Sequence, residues 1–225
     1  MGLVADGLLA TRKELQRACE RAGRDLGSVR LIAVSKTKPL ADVEEAVAAG
    51  QRLFGENYAQ ELREKTLALP DLEWHFLGAL QTNKAKLVVG RAALIHTCDR
   101  LALAEELSKR ASKGQLVQRV LLEVNLGREP QKGGVLPEES LALLRAVLSL
   151  PALRCEGLMC IPPAAPEPQS ARAWFKALRT LRDELQQATG QALPELSMGM
   201  SQDFALAALE GATLVRVGTA IFGAR

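Results

Sequence analysis

The sequence predicts an α/β protein that folds as a single (β/α)8 TIM-type barrel with an extra N-terminal helix. Short apolar runs alternate with longer segments of helical period, eight such runs occur, and a helical segment precedes the first. Alternating strands and helices are typical of a parallel sheet, and eight strands without a long interruption favour a closed barrel. The predicted strands are 29–35, 52–55, 74–78, 94–97, 117–124, 153–159, 194–198 and 214–217.

A doubly wound open sheet is the alternative to the barrel. Such sheets often carry a glycine-rich phosphate-binding motif after their first strand, and neither G-x-G-x-x-G nor G-x-x-x-x-G-K-[ST] occurs there. The proline-rich stretch 161–168 is typical of a loop after the sixth strand rather than a linker. We therefore expect residues 1–225 to form one domain.

Apolar residues recur at helical spacing in the segments between the strands, which predicts one buried face for each helix. The segment before the first strand and three later segments carry these faces: Leu8, Leu15, Ala18 and Ala22; Leu101, Ala104, Leu107 and Ala111; Leu141, Leu144 and Leu148; Trp174, Leu178, Leu181 and Leu185.

Composition and charge exclude several classes of function. The net charge is +3, from 29 basic and 26 acidic residues that are scattered along the chain, so we expect no nucleic-acid or anionic-membrane partner. No apolar stretch approaches the roughly 20 residues of a membrane helix, and the N-terminus does not resemble a signal peptide. We expect a cytoplasmic protein, and the lack of an obvious apolar patch favours a monomer.

The cysteines and histidines do not predict a metal site. Cys19, Cys98, Cys155 and Cys160 include no C-x-x-C pair, and the two histidines do not cluster with them. Zinc sites normally need paired ligands at short spacing, so buried free thiols are the better interpretation.

A lysine follows the first predicted strand, where a barrel gathers its functional groups. Lys36 comes directly after the apolar run 31–34, so partial burial would lower its pKa and leave more free amine to form an imine with a carbonyl. Position alone favours an ordinary solvated lysine. Lys38 has the opposite phase and precedes Pro39, so we expect it to face solvent. For His75 on the third strand, a structural role is favoured over catalysis.

The loops after the last two strands suit a phosphate group. Gly199 and Ser201 precede a predicted helix start near Gln202, whose free N–H groups favour an anion, and Gly218 and Thr219 follow strand eight. Barrel enzymes often bind phosphate at these two loops. Glycine turns with a serine cap are the alternative for each loop alone.

Two further polar residues lie at or near strand ends. Arg216 stands within strand eight, where an unpaired buried charge is costly, so it should face the barrel interior and meet a ligand or a carboxylate. Asn57 follows strand two and is equally compatible with a helix cap or a ligand contact. A phosphate site opposite an amine suits a phosphorylated carbonyl compound: the sugar phosphate of a Schiff-base aldolase, or pyridoxal phosphate.

Seven sequence blocks favour the second class. They are LIAVSKTKP, FGENYAQE, WHFLGALQTNK, EVNLG, GLMCIPP, LSMGMSQD and LVRVGTAIFGAR, and they span residues 31–225. In content and order the chain closely resembles the YggS/PROSC family, the pyridoxal phosphate homeostasis proteins. The resemblance implies a barrel similar to the N-terminal domain of alanine racemase.

The resemblance also implies a set of cofactor-binding residues. Lys36 would form the Schiff base, Asn57 would lie near the ring, and Arg216 would approach the pyridine nitrogen. Because arginine does not readily give up a proton, that nitrogen would stay unprotonated and the cofactor would be a poorer electron sink. The phosphate would be held by the loop of Met200 and Ser201 and by Gly218 and Thr219.

The expected role is homeostasis of the cofactor, by binding, buffering or delivery to apo enzymes that depend on pyridoxal phosphate, with effects on amino and keto acid balance. Alanine racemases use a second domain to supply a catalytic tyrosine, and the only tyrosine here is Tyr58. We therefore expect no catalytic residues. A weak amino acid racemase is the alternative.

Overall fold

The computed structural model describes residues 2–164 and 168–224. Eight parallel strands pair in chain order, and the eighth returns to the first to close a barrel. The strands are β1 (Arg30–Val34), β2 (Leu53–Glu56), β3 (Glu73–Phe76), β4 (Leu94–Cys98), β5 (Gln118–Glu123), β6 (Leu153–Met159), β7 (Glu195–Ser197) and β8 (Leu214–Val217). Each of these strands overlaps a predicted strand, so the predicted barrel is confirmed.

Helices surround the barrel, and one of them precedes β1 as the sequence predicts. Their bounds are α1 (Leu3–Arg21), α2 (Leu40–Ala48), α3 (Ala59–Ala68), α4 (Ala85–Val88), α5 (Leu101–Lys113), α6 (Ser140–Ser149), α7 (Ala171–Thr189), α8 (Phe204–Leu209) and α9 (Thr219–Phe222). Helix α1 packs against α8 and α9. The approach is close at Gly7, where an added Cβ would lie 2.7 Å from the carbonyl oxygen of Ala220.

The strands divide the apolar side chains between two regions because successive residues point to opposite faces. On β1, Ile32 and Val34 belong to a cluster inside the barrel, whereas Leu31 and Ala33 belong to the larger cluster between barrel and helices. The interior cluster is aliphatic apart from one methionine: Ile32, Val34, Leu53, Leu77, Leu94, Leu121, Met159 and Leu214. The aromatic rings of Phe54, Trp74 and Phe76 lie in the outer layer.

The predicted helix faces are correct in part. On α5, Ala104 and Leu107 are buried as predicted, but Leu101 is 44% exposed and Leu103 is buried instead. On α6, Leu148 is 39% exposed. These helices carry leucines on adjacent turns, so several stripes at helical spacing exist and only packing against the barrel selects one.

Helix α7 shows the same kind of shift, while α1 follows its prediction closely. On α7, Leu178 and Leu185 are buried, but Phe175 is buried where Trp174 was predicted. On α1, the predicted residues up to Ala18 are buried, and Ala22 lies at the C-cap.

The remaining predictions concern loops and ligands. The predicted loop at 161–168 has no helix or strand at 161–164, residues 165–167 lie outside the described residues, and a short 3₁₀ helix begins at Pro168. All four cysteine thiols are free and buried, as the sequence predicts. Across 2–164 and 168–224, no group of three or more histidines, cysteines or carboxylates could hold a metal ion. Within the same ranges, no helix combines the length and apolarity needed to cross a membrane.

Candidate cofactor site

A cavity of about 320 Å³ opens at the carboxyl ends of the strands, a volume within the usual range for small-molecule sites. All seven predicted site residues lie in its wall, although they come from four different strand ends. The lining residues are Val34, Lys36, Asn57, Leu77, Ile161, Met200, Ser201, Gln202, Asp203, Arg216, Gly218 and Thr219.

The backbone on both sides of Lys36 is held in place. Ser35 is fully buried, its N–H donates to the carbonyl of Gly55 at 3.0 Å, and its Oγ donates to Glu56 Oε1 at 2.7 Å. Thr37 has a left-handed backbone with φ of 62°, and its N–H donates to Glu61 Oε2 at 2.8 Å. These contacts fix the point at which the lysine side chain leaves the strand.

A buried ion pair lies behind this turn. Glu56 is 0% exposed, and its Oε1 accepts a hydrogen bond from Lys65 Nζ at 2.7 Å. The same ammonium donates to the carbonyl of Ser35 at 2.7 Å and to Glu61 at 3.3 Å. Burial raises the pKa of Glu56 despite the lysine. Glu56 Oε2 is buried without a hydrogen-bond partner within the described residues.

Lys38 lies outside the cavity wall and is half-buried, so the prediction that it faces solvent is correct only in part. Its Nζ donates to the carbonyls of Phe222 at 2.8 Å and Ala224 at 3.0 Å. Strand alternation no longer applies there, because β1 ends at Val34 and the left-handed Thr37 redirects the backbone.

The loops after β7 and β8 meet at Ser201. Its Oγ accepts hydrogen bonds from the N–H groups of Gly218 at 3.2 Å and Ala220 at 3.4 Å. The N–H of Met200 donates to Asp203 Oδ1 at 2.6 Å, so this carboxylate shapes the turn before α8. Helix α8 begins at Phe204, slightly later than the predicted start near Gln202.

Arg216 faces the barrel interior as predicted and is only 5% exposed. Its Nη1 donates to Ser197 Oγ at 2.5 Å, and its Nη2 donates to the carbonyl of Cys160 at 2.9 Å. Among the described residues its hydrogen-bond partners are thus a hydroxyl and a carbonyl, and not a carboxylate. Burial lowers the pKa of the guanidinium, but arginine keeps its charge in proteins.

Asn57 lies in the cavity wall, and the structure places Tyr58 rather than Asn57 at the N-cap position of α3. The helix-cap interpretation of Asn57 is therefore wrong. Gly55 precedes it on β2, where a Cβ would lie 2.5 Å from Leu77 Cδ1 and 2.8 Å from Ile32 Cγ2. A side chain at this position would collide with the residues that fill the barrel below the cavity.

His75 is fully buried inside the barrel and is not among the residues that line the cavity. Its Nε2 lies 2.9 Å from Glu73 Oε1, and its Nδ1 lies 2.9 Å from His96 Nε2. Burial lowers the pKa of both imidazoles. This position fits the structural role that the sequence favours for His75.

Several residues near the site are not predicted from the sequence. Val34, Leu77 and Ile161 supply apolar wall, and Gln202 and Asp203 complete the turn before α8. Their position in the sequence could have identified them as wall residues, since each lies at a strand end or in a loop that follows one. The Glu56–Lys65 pair and the contact of His75 with His96 could not be identified in this way, because the sequence position of one side chain does not indicate which distant side chain it contacts.

Glu123 ends β5, also at this end of the barrel, and is 9% exposed. Burial raises its pKa to about 7, and the nearby charge of Asp99 adds to the effect while Arg216 opposes it. No pattern in the sequence points to this carboxyl.

The chain is similar to proteins of known family along its whole length. The family model described as "Alanine racemase, N-terminal domain" matches residues 8–225. A pyridoxal phosphate homeostasis protein of Aquifex aeolicus is 50% identical over 215 residues, which cover 95% of this chain and 94% of the relative. The protein of the same name from Pseudomonas aeruginosa is 44% identical over 227 residues, covering 100% and 97%.

Solved structures give the same picture. PipY of Synechococcus elongatus, described with PLP bound, is 42% identical with a TM-score of 0.86, and the match covers 98% of this chain and 100% of PipY. An alanine racemase of Clostridium difficile has a TM-score of 0.74 at 14% identity, covering 96% of this chain and 60% of the racemase, which shows a shared fold alone. The chain therefore belongs to the family of pyridoxal phosphate homeostasis proteins.

Proposed function

We propose that this protein binds pyridoxal 5'-phosphate reversibly at the cavity and serves its homeostasis, by buffering the cofactor or delivering it to apo enzymes. The observation that carries the proposal is the gathering of an amine, a guanidinium and two hydroxyls around one cavity: Lys36, Arg216, Ser201 and Thr219. Pyridoxal phosphate offers an aldehyde for the amine, a pyridine nitrogen for the guanidinium and a phosphate for the two hydroxyls. When bound, it would supply an electrophilic aldehyde and an electron-withdrawing ring.

The residues present suit each part of this molecule. The amine of Lys36 would hold the aldehyde carbon, and Arg216 would donate to the ring nitrogen from the barrel interior. Ser201, Gly218 and Thr219 would hold the phosphate with hydroxyls and backbone N–H groups, as Ser201 Oγ already joins the two loops. Val34 and Leu77 would exclude water from the ring.

We also propose that the protein holds the cofactor without catalytic turnover. Besides Lys36 and Arg216, the ionisable side chain in the wall among the described residues is Asp203, and its Oδ1 already accepts from the N–H of Met200. Tyr58 is 50% exposed and is not among the lining residues. A racemase needs two bases on opposite faces of its substrate, and this wall offers one amine. The relatives that carry the homeostasis name support the same role.

The central test is the identity of the lysine that binds the cofactor. Protein incubated with pyridoxal phosphate and reduced with borohydride should carry the added mass on Lys36, read by peptide mass spectrometry. Lys36→Ala should abolish the adduct. Lys38→Ala is the matched control, because Lys38 lies on the same turn but binds the carbonyls of Phe222 and Ala224, and it should keep the adduct. An adduct that persists at this site in Lys36→Ala would sink the proposal.

A second assay distinguishes delivery from catalysis. Loaded protein mixed with an apo enzyme should transfer cofactor faster than it releases cofactor into buffer. Alanine racemisation should not exceed the rate with free pyridoxal phosphate. Racemisation well above that rate would replace the homeostasis role with an enzymatic one.

We also propose that residues 1–225 act as one cytoplasmic, monomeric domain. The exposed large apolar side chains are spread over separate elements, with Leu3 on α1, Leu67 on α3 and Leu148 on α6. Such scattered residues are normal on monomers. Light scattering after size-exclusion chromatography tests the monomer, and a dimer mass would contradict it.

A further inference from the structure

A continuous chain of side-chain hydrogen bonds crosses the barrel interior from the cavity towards its opposite end. Arg216 Nη1 lies 2.5 Å from Ser197 Oγ, and that oxygen lies 2.8 Å from His96 Nδ1. His96 Nε2 lies 2.9 Å from His75 Nδ1, and His75 Nε2 lies 2.9 Å from Glu73 Oε1. Glu73 is the first residue of β3, so the chain begins in the cavity wall and ends at the amino end of the barrel.

The two ends of this chain fix the direction of its first and last bonds. A guanidinium has only donors, and an ionised carboxylate has only acceptors. The hydrogen bond with His75 lowers the pKa of Glu73 to about 2, so Glu73 is ionised near neutral pH. Arg216 must therefore donate to Ser197, and His75 must donate to Glu73.

With both imidazoles neutral, as their burial favours, the inner members have one consistent arrangement. A neutral His75 that donates its Nε2–H to Glu73 accepts a hydrogen bond at Nδ1 from the Nε2–H of His96. His96 in turn accepts at Nδ1 from the hydroxyl of Ser197. Both imidazoles are neutral and carry the proton on Nε2. A second proton on either ring would put a charge into the barrel interior, where burial disfavours it.

The charges around the chain favour the same state. Arg30 donates to Glu73 Oε1 at 3.2 Å and to Glu195 at 3.0 Å, and Arg119 pairs with Glu156. These cations further lower the pKa of His75, and Arg216 acts in the same way on His96. Glu73 is the anion that opposes them at His75.

We propose that Glu73, His75, His96 and Ser197 are positioning residues that hold Arg216 in the cavity wall through a one-directional hydrogen-bonded chain. Ser197 and the carbonyl of Cys160 take one N–H from each terminal nitrogen of Arg216, which sets the tilt of the guanidinium towards a ligand. The part of the inference that concerns the cofactor rests on the proposed function, since Arg216 is assigned there to the ring nitrogen. The hydrogen-bond direction does not depend on that assignment.

The direction of the chain is tested by the tautomers of the histidines. The protein has only two, so untagged protein with ¹⁵N-labelled histidine gives two imidazole spin systems in long-range NMR correlation spectra. Both should be neutral Nε2–H tautomers and should not titrate between about pH 5.5 and pH 8, since an exposed imidazole would titrate near roughly 6.5. An Nδ1–H tautomer in either ring, or titration in that range, would overturn the chain.

The positioning role is tested from the far end, where no variant touches the cavity. Glu73→Gln replaces the acceptor-only carboxylate that ends the chain with an amide, which can present either a donor or an acceptor to His75. Glu195→Gln is the matched control, because Glu195 also binds Arg30 at the same end of the barrel but lies outside the chain. Glu73→Gln should weaken binding of pyridoxal phosphate about threefold or more and shift its visible absorption maximum, while Glu195→Gln should change neither. Equal effects of the two variants would contradict the role.

Ser197→Ala cuts the chain beside Arg216 and should weaken binding about tenfold, with unchanged far-ultraviolet circular dichroism. Wild-type affinity in this variant would refute the positioning role. If the wild-type protein shows no adduct on Lys36, the proposed function fails instead, and the histidine tautomers still decide whether the chain is directed as described.

Discussion

Two glutamates on neighbouring strands stand in opposite environments. Glu56 ends β2 near the cavity and is fully buried, whereas Glu73 begins β3 at the other end of the barrel and has a 37% exposed side chain. Burial raises the pKa of Glu56, and the hydrogen bond with His75 lowers the pKa of Glu73 to about 2. Position along the barrel therefore decides which carboxyl resists ionisation.

The cavity end of the barrel gives up stability for the placement of its side chains. The charge of Glu56 is held by Lys65, and its second oxygen has no partner among the described residues. The same pair fixes Ser35, the residue before Lys36. Glu73 is partly exposed to solvent and forms an ion pair with Arg30, so it can end the interior hydrogen-bonded chain at little cost in desolvation.

The largest expected effect comes from breaking the buried pair at the cavity end. Lys65→Met leaves the Glu56 carboxylate buried without its cation, which should lower the free energy of unfolding by about 3–5 kcal/mol. Urea unfolding at neutral pH, followed by circular dichroism, measures the change. The double variant Glu56→Gln with Lys65→Met should recover most of the loss, because it removes both charges. A double variant no more stable than the single one would contradict this account.

A smaller effect should follow from removing the hydroxyl that supports Glu56. Ser35→Ala deletes a 2.7 Å hydrogen bond to a buried charged acceptor and should cost about 2 kcal/mol. The control is Ser149→Ala, whose exposed hydroxyl bonds a carbonyl of α6 and whose loss should stay within about 0.5 kcal/mol. Equal losses in the two variants would show that the buried contact has no special weight.

The smallest expected effect is the loss of the stabilisation by Glu73 at acidic pH. Its folded pKa of about 2 lies below its usual 4.5, so its stabilisation is present above about pH 4.5 and is lost as the pH falls towards 2. Because the side chain is 37% exposed and screened by solvent, we expect only about 1 kcal/mol. Between about pH 5 and pH 2, Glu73→Gln should therefore lose about 1 kcal/mol less stability than wild type in urea unfolding. If both proteins lost the same free energy of unfolding over this pH range, the prediction would be contradicted.

Most of the barrel was predictable because strand periodicity is local. Runs such as 29–35 and 214–217 carry their own apolar pattern, and their alternation with helices is enough to predict closure. The helix faces were less predictable: Leu101 and Leu103 both fit an apolar stripe, and only contact with the barrel decides between them. The carbonyl contacts of Lys38 were not predictable, because the direction of its side chain depends on the left-handed backbone at Thr37.

The site was predictable to the extent that function collects at strand ends. Lys36 and Ser201 occupy such ends, and the family resemblance supplied a ligand for them. The partners behind the cavity were not predictable, because His96 meets Ser197 across the barrel interior and Glu56 meets Lys65 only once α3 has packed. Side-chain pairs between distant segments leave no periodic signal in one sequence.

Closure of the barrel between its first and last strands also orders the events of folding. Arg30 pairs with Leu214, and Lys38 contacts the segment after β8, so these bonds join distant parts of the chain. Such pairings carry a large loop-closure entropy and slow folding. During synthesis β1 can gain only β2 as a neighbour until β8 has emerged from the ribosome, and its other edge stays open to pairing with foreign strands. A nascent chain is therefore most vulnerable to aggregation just before its last strand is made.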